Sequence, residues 1–83
     1  MTKLDQIRAA ESRLLIPTYD RNPILFVRGE GVYIIDEQGG HYLDLLSGIG
    51  VNALGYGNAV IEETIALQSR ALIHTSNLYY HEG

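Results

Sequence analysis

Leu4, Ile7, Ala10 and Leu14 recur at three- and four-residue intervals, the spacing that gathers apolar side chains on one face of a helix. Thr2 stands three residues before Asp5, an arrangement in which short polar side chains satisfy the free N–H groups of a first turn. The pattern predicts a helix over residues 3–15. Pro17 holds Ile16 out of the helical region and removes a backbone donor, so the helix ends there and residues 18–23 form a connection.

The period then changes. Ile24, Leu25, Phe26 and Val27 make an apolar, β-favouring run stopped by Gly29 and Gly31, and residues 32–35 make a second. Residues 36–40, with their acidic and glycine positions, supply a turn, and residues 41–45 return as the other arm of a hairpin. From Ser47 to Gly57 four glycines, Gly48, Gly50, Gly55 and Gly57, exclude a stable helix and predict an extended, closely packed loop. Asn58 is placed to cap a following helix. Glu62 and Glu63 favour that helix's positive end, and Ile61, Ile65 and Leu72 share one face, with the helix running to about Ala71. Residues 74–83 show neither period and carry no stop signal typical of a finished domain. The fold class these elements predict is α+β.

Composition narrows the function. The 83 residues are 46% hydrophobic with nine glycines and two prolines, a globular balance rather than a disordered one. A domain this short buries only roughly 60 to 65% of its unfolded surface. With no cysteine to form a disulfide, such a chain depends on packing or on a partner. A net charge of −4 gives no basic footprint for nucleic acid. No run approaches the roughly 20 apolar residues of a membrane span, and the first residues lack a signal-peptide core. The cytoplasm is the expected compartment.

The individual constellations are mostly structural. Gly48 and Gly50 with the residues after them fit a loose dinucleotide pattern, but Gly55 and Gly57 prevent the helix whose N–H groups would face a pyrophosphate. His41, His74 and His81 are too scattered for a zinc site, so no metal is expected. Ser47, His74 and Asp44 supply the types of a hydrolytic triad without a nucleophile elbow. Glu62 and Glu63 are adjacent and point apart on a helix, which suits a solvated first turn better than an acid–base pair. Tyr79 and Tyr80 beside Asn77 are candidates for lining a ligand cavity, or alternatively for anchoring an interface.

The run from Gly31 to Gly55, G-V-Y-I-I-D-E-Q-G-G-H-Y-L-D-L-L-S-G-I-G-V-N-A-L-G, resembles the amino-terminal signature of the class III pyridoxal-phosphate aminotransferases, most of all the members that use acetylornithine. Tyr19, Asp20, Arg21 and Pro23 upstream, and the stretch from Gln68 to Tyr80 downstream, extend the similarity over nearly the whole chain. One stretch departs from it: where the family commonly has Gly-His-x-His-Pro, this chain has Gly55-Tyr56-Gly57-Asn58-Ala59.

The resemblance implies part of the small domain of a fold-type-I homodimer, with active sites between subunits. It implies that Ser47, Gly48, Ile49, Gly50 and Val51 approach the substrate end of the site. Ile49 falls where ornithine-specific relatives carry a tyrosine, and Asn77 and Tyr80 are the other implied substrate contacts, with Tyr79 packing. The implied activity is amino transfer from N-acetylornithine to 2-oxoglutarate in arginine biosynthesis, with pyridoxal 5'-phosphate as the complete enzyme's cofactor. In the family the cofactor lysine and aspartate lie downstream of this stretch, and the only lysine here is Lys3. Residues 1–83 are therefore expected to be an incomplete amino-terminal segment without the large cofactor-binding domain, with no catalytic residue and no bound cofactor of its own. Its expected partners are the remainder of the chain, a second subunit and a small amino-acid substrate. The competing expectations are a non-catalytic interaction module built on this fold, or a segment of another class III enzyme acting on ornithine, succinylornithine or 4-aminobutyrate.

Overall fold

The computed structural model describes residues 1–83. Its elements are α1 (Lys3–Leu14), β1 (Phe26–Glu30), β2 (Tyr33–Asp36), β3 (His41–Leu43) and α2 (Ala59–Ala71). The α+β class expected from the sequence is the one observed.

Both helix starts are built by the predicted residues. The Thr2 hydroxyl accepts from the Asp5 N–H at 3.1 Å while the Asp5 carboxylate accepts from the Thr2 N–H at 2.9 Å, a reciprocal box that satisfies two otherwise free donors. Asn58 Oδ1 accepts from the Ile61 N–H at 3.1 Å at the head of α2. The first helix stops one residue earlier than expected, because Leu15 has turned to an extended conformation ahead of Ile16 and Pro17.

The strands form one antiparallel meander in the order β1-β2-β3. Glu30 pairs with Tyr33, so Gly31 and Val32 alone make the turn, with Gly31 at φ +59°. Three expectations shift here. β1 runs on through Gly29, which pairs with Ile34, to Glu30 instead of stopping at Gly29, because a glycine in a strand weakens the ladder without breaking it. Ile24 and Leu25 lie outside the ladder, although the Leu25 carbonyl still accepts from the Glu37 N–H at 3.0 Å, and Val32 belongs to the turn rather than to β2. β3 is also shorter than residues 41–45, since Asp44 bends the chain away. The register slips between Phe26 and Arg28, leaving Val27 as a bulge. Asp36 organises the β2–β3 turn by accepting from Gly40 N–H at 2.7 Å, Gln38 N–H at 2.9 Å and the Tyr42 hydroxyl at 3.1 Å.

The largest departure is the amount of interior. Ile35, in the middle strand, is the one buried residue of the 83. Neither helix lies closely against the sheet, and of α1 only half-buried Leu4 shares a hollow with Asp36 and Tyr42 of the strands. Ile61, Ile65 and Leu72 share a face of α2 as predicted, but that face is open to solvent, as is Leu14 of α1. The accessible surface is 7653 Å², whereas a folded 9.2 kDa chain is expected to expose about 4,900 Å². The radius of gyration, 17.1 Å, likewise exceeds the ~12 Å of a compact domain of this length. Short-range backbone pairing and capping hold the elements; side-chain burial holds little.

Candidate functional site

The loop after β3 is curled rather than extended. Ser47, Gly48, Ile49 and Gly50 have φ of 53°, 60°, 68° and 91°, four successive residues in the left-handed region. Glycine enters it freely, but a serine and a β-branched isoleucine do so at a cost of roughly 1–2 kcal/mol each. The Leu46 carbonyl accepts from the N–H groups of Ile49 at 2.9 Å and Gly50 at 3.1 Å, and Asn52 N–H reaches the Ser47 carbonyl at 2.9 Å. The turn lifts Ile49 and Val51 into solvent, each about 85% exposed, so the expected close packing around them is absent. Nothing would meet a Cβ on Gly50; its glycine is required by φ alone.

Two residues hold the base of this loop. Asp44, where β3 ends, accepts from the Leu46 N–H at 3.1 Å and the Ser47 N–H at 2.8 Å. Its other oxygen accepts from the Tyr56 hydroxyl at 2.5 Å, and Asn52 Nδ2 donates to that hydroxyl at 3.4 Å. The Tyr56 hydroxyl and the Ser47 N–H stabilise the charged carboxylate and hold Asp44 below the usual range, while bonding to that carboxylate pushes the Tyr56 phenol up. The Tyr56 backbone pairs with Gly31 in both directions, at 2.8 and 3.1 Å. Its ring lies over Gly29, where any Cβ would overlap it. A Cβ on Gly55 would stand 2.6 Å from the Gly31 carbonyl oxygen. Glycine at both places lets the far end of the loop close onto the first hairpin.

The residues expected from the sequence divide into two places. Gly48 helps line an open hollow of about 470 Å³ beneath the loop, with Phe26, Ile34, Tyr42 and Tyr56. Asn77 and Tyr80 lie in the segment after α2, where Ser76, at φ 71°, starts a turn closed by Tyr79 N–H on its carbonyl at 3.3 Å. Asn77, Tyr79 and Tyr80 are exposed, and no hydrogen bond joins them to Ile49. The pairing of Asp44 with Tyr56 was not foreseen. The signal available was an aspartate two and three residues ahead of N–H groups in a glycine-rich turn, a common site for side-chain-to-backbone bonding. That commitment also removes Asp44 from any triad with Ser47 and His74.

No group of three or more His, Asp or Glu side chains could hold a metal ion. The residues present do not fit pyridoxal phosphate either. Lys3 is exposed in the first turn of α1, remote in sequence from the glycine loop, and no second group converges on it. A separate cleft of about 300 Å³ between α1 and residues 19–25 is bridged by the Arg21–Glu11 ion pair and reads as local packing.

Comparison with known proteins extends these observations. The acetylornithine aminotransferase of Caldanaerobacter subterraneus subsp. tengcongensis is 46% identical over 72 residues, covering 87% of this chain and 18% of that protein. The protein of the same name from Aquifex aeolicus is 51% identical over 65 residues, 78% of this chain and 17% of its own length. The chain thus spans about a sixth of these relatives. The crystal structure of acetylornithine aminotransferase from Elizabethkingia anophelis superposes with a TM-score of 0.83 at 27% identity, covering 99% of this chain and 21% of that one. Ornithine delta-aminotransferase from Plasmodium falciparum, with a TM-score of 0.84 at 22% identity over 98% of this chain and 21% of its own, shares the fold. Residues 16–83 match the family described as aminotransferase class-III, and the chain belongs to that family.

Proposed function

We propose that these 83 residues serve as the amino-terminal part of an acetylornithine aminotransferase, in the small domain of a fold-type-I homodimer. The complete enzyme moves an amino group from N-acetylornithine to 2-oxoglutarate in arginine biosynthesis, in the cytoplasm. The observation that carries this reading is the 46–51% identity to proteins of that name over most of the chain. The open apolar surface of α2 and of the glycine loop supports it, because such surface belongs against further protein. No helix is long and apolar enough to cross a membrane.

Pyridoxal phosphate supplies the electron sink of this chemistry, and it is held by residues beyond these 83. What this chain contributes is shape. The left-handed turn presents Ile49, an apolar side chain suited to the acetylated end of the donor, while Asn77 and Tyr80 add an amide and a phenol from the segment after α2. Ser47, Gly48, Gly50 and Val51 form the turn around Ile49.

Steady-state assay of the complete enzyme tests the reading. Glutamate should form from N-acetylornithine and 2-oxoglutarate with a higher kcat/KM than from free ornithine or 4-aminobutyrate. Preference for either of the latter would reject it. The 83 residues alone, mixed with pyridoxal phosphate and dialysed, should retain no cofactor absorbance and give no turnover above free cofactor.

A further inference from the structure

Two carboxylates in this chain accept several hydrogen bonds, and they do different things. Asp36 bonds only to Gln38, Gly40 and Tyr42, all within its own hairpin. Asp44 joins segments that the local chain does not bring together: its partner Tyr56 lies twelve residues on, across the whole glycine loop. Tyr56 is in turn seated by contacts outside the loop, through its backbone pairing with Gly31 and its ring over Gly29. The hydroxyl is thereby delivered from the first hairpin to the carboxylate that also holds the Leu46 and Ser47 N–H groups.

The loop needs such a hold. Residues 47–50 sit in a conformation that Ser47 and Ile49 resist, and Ile49 has no packing in this chain to compensate. A carboxylate free to rotate would release the Leu46 and Ser47 N–H groups, and the turn would relax toward the right-handed region.

We propose that Tyr56 is the positioning residue of the glycine loop: its hydroxyl locks the Asp44 carboxylate in the orientation that keeps residues 47–50 left-handed and Ile49 presented. Rested on the functional reading above, this makes Tyr56 a determinant of how the acetylated end of the donor is met, without touching it. Gly29 is the matching requirement, since any larger residue would displace the ring.

Tyr56→Phe in the complete enzyme is the test, because it keeps the ring over Gly29 and removes only the hydroxyl. Two measurements are made on it. The Asp44 carboxyl, followed by carbon NMR with aspartate labelling and assigned by its loss in Asp44→Asn, should titrate at higher pH in Tyr56→Phe than in the parent. KM for N-acetylornithine should rise on the order of tenfold, the scale of a lost hydrogen bond to a charged group, with KM for the shorter 2-oxoglutarate unchanged. Both shifts together support the proposal. An unmoved Asp44 titration refutes the lock itself. A moved titration with both KM values unchanged refutes positioning and leaves a purely structural bond. A moved titration in an enzyme that never transfers an amino group from N-acetylornithine overturns the functional reading, and the donor-positioning role with it, while the lock stands.

Discussion

Separating these 83 residues from all other protein should cost them their cooperative fold. At 9.2 kDa the fully unfolded chain would expose about 13,300 Å². The folded arrangement exposes 7653 Å², so it hides about 43% of that, against the roughly 60 to 65% typical of stable domains this small. The shortfall is about 2,700 Å², comparable with the area that obligate interfaces cover. Helices of 12 and 13 residues cannot make up the difference alone, since isolated helices of that length are marginal in water. Far-UV circular dichroism and tyrosine fluorescence of the isolated chain, recorded with heating, should show shallow changes that do not coincide. Sedimentation in parallel establishes whether the sample is monomeric. A sharp transition, coincident by both probes in a monomer, would refute the area argument.

Three further outcomes follow from particular residues. Gly50→Val should lower the thermal stability of the proposed complete enzyme more than Gln38→Val, by roughly 1–2 kcal/mol for forcing a β-branched residue to φ +91°; equal thermal melts would place the constraint elsewhere. Ile49→Tyr should lower kcat/KM for N-acetylornithine relative to free ornithine, and an unchanged ratio would remove Ile49 from the donor's surroundings. Asp36 is held below its ordinary range, first by the Gly40 N–H and then by Gln38 and Tyr42. Its contribution to the hairpin is therefore complete above the unfolded value of about 3.9 and is lost as pH falls through the lower folded one. In an acid titration of the complete enzyme, the Gly40 amide resonance should report a midpoint below that unfolded value, and Asp36→Asn should abolish the step.

What could be read from the sequence was what depends on neighbours in the chain. Thr2 with Asp5 and Asn58 with the Ile61 N–H cap their helices because a cap is a contact over two or three residues. The turn at residues 36–40 announced itself for the same reason, whereas Gly31 read only as a break after an apolar run and not as the turn that joins β1 to β2. The candidate site was legible as a glycine-rich loop but not as a left-handed turn, since nothing local required Ile49 to take φ 68°. The tie between Asp44 and Tyr56 spans twelve residues and depends on how the loop closes onto Gly29 and Gly31. The apolar periods of α1 and α2 gather Ile7 with Leu14 and Ile61 with Ile65 on single faces, but those faces stay open here, because amphipathicity shows that a face seeks cover, not which surface provides it.

The meander's strand order has a kinetic meaning. Because β1, β2 and β3 pair strictly with their neighbours in sequence, each ladder closes over a short stretch of chain at small entropic cost. Hairpins of this kind form in about 1–10 μs, far faster than the next residues can be added during synthesis at about 5–20 per second. The three strands around Ile35 are thus able to register as soon as Leu43 clears the ribosome, well before the glycine loop or α2 exists. Tyr56 comes later in the chain, so the loop can close onto Gly29 and Gly31 only after the strands have had time to pair, and that pairing becomes lasting once further protein covers the sheet.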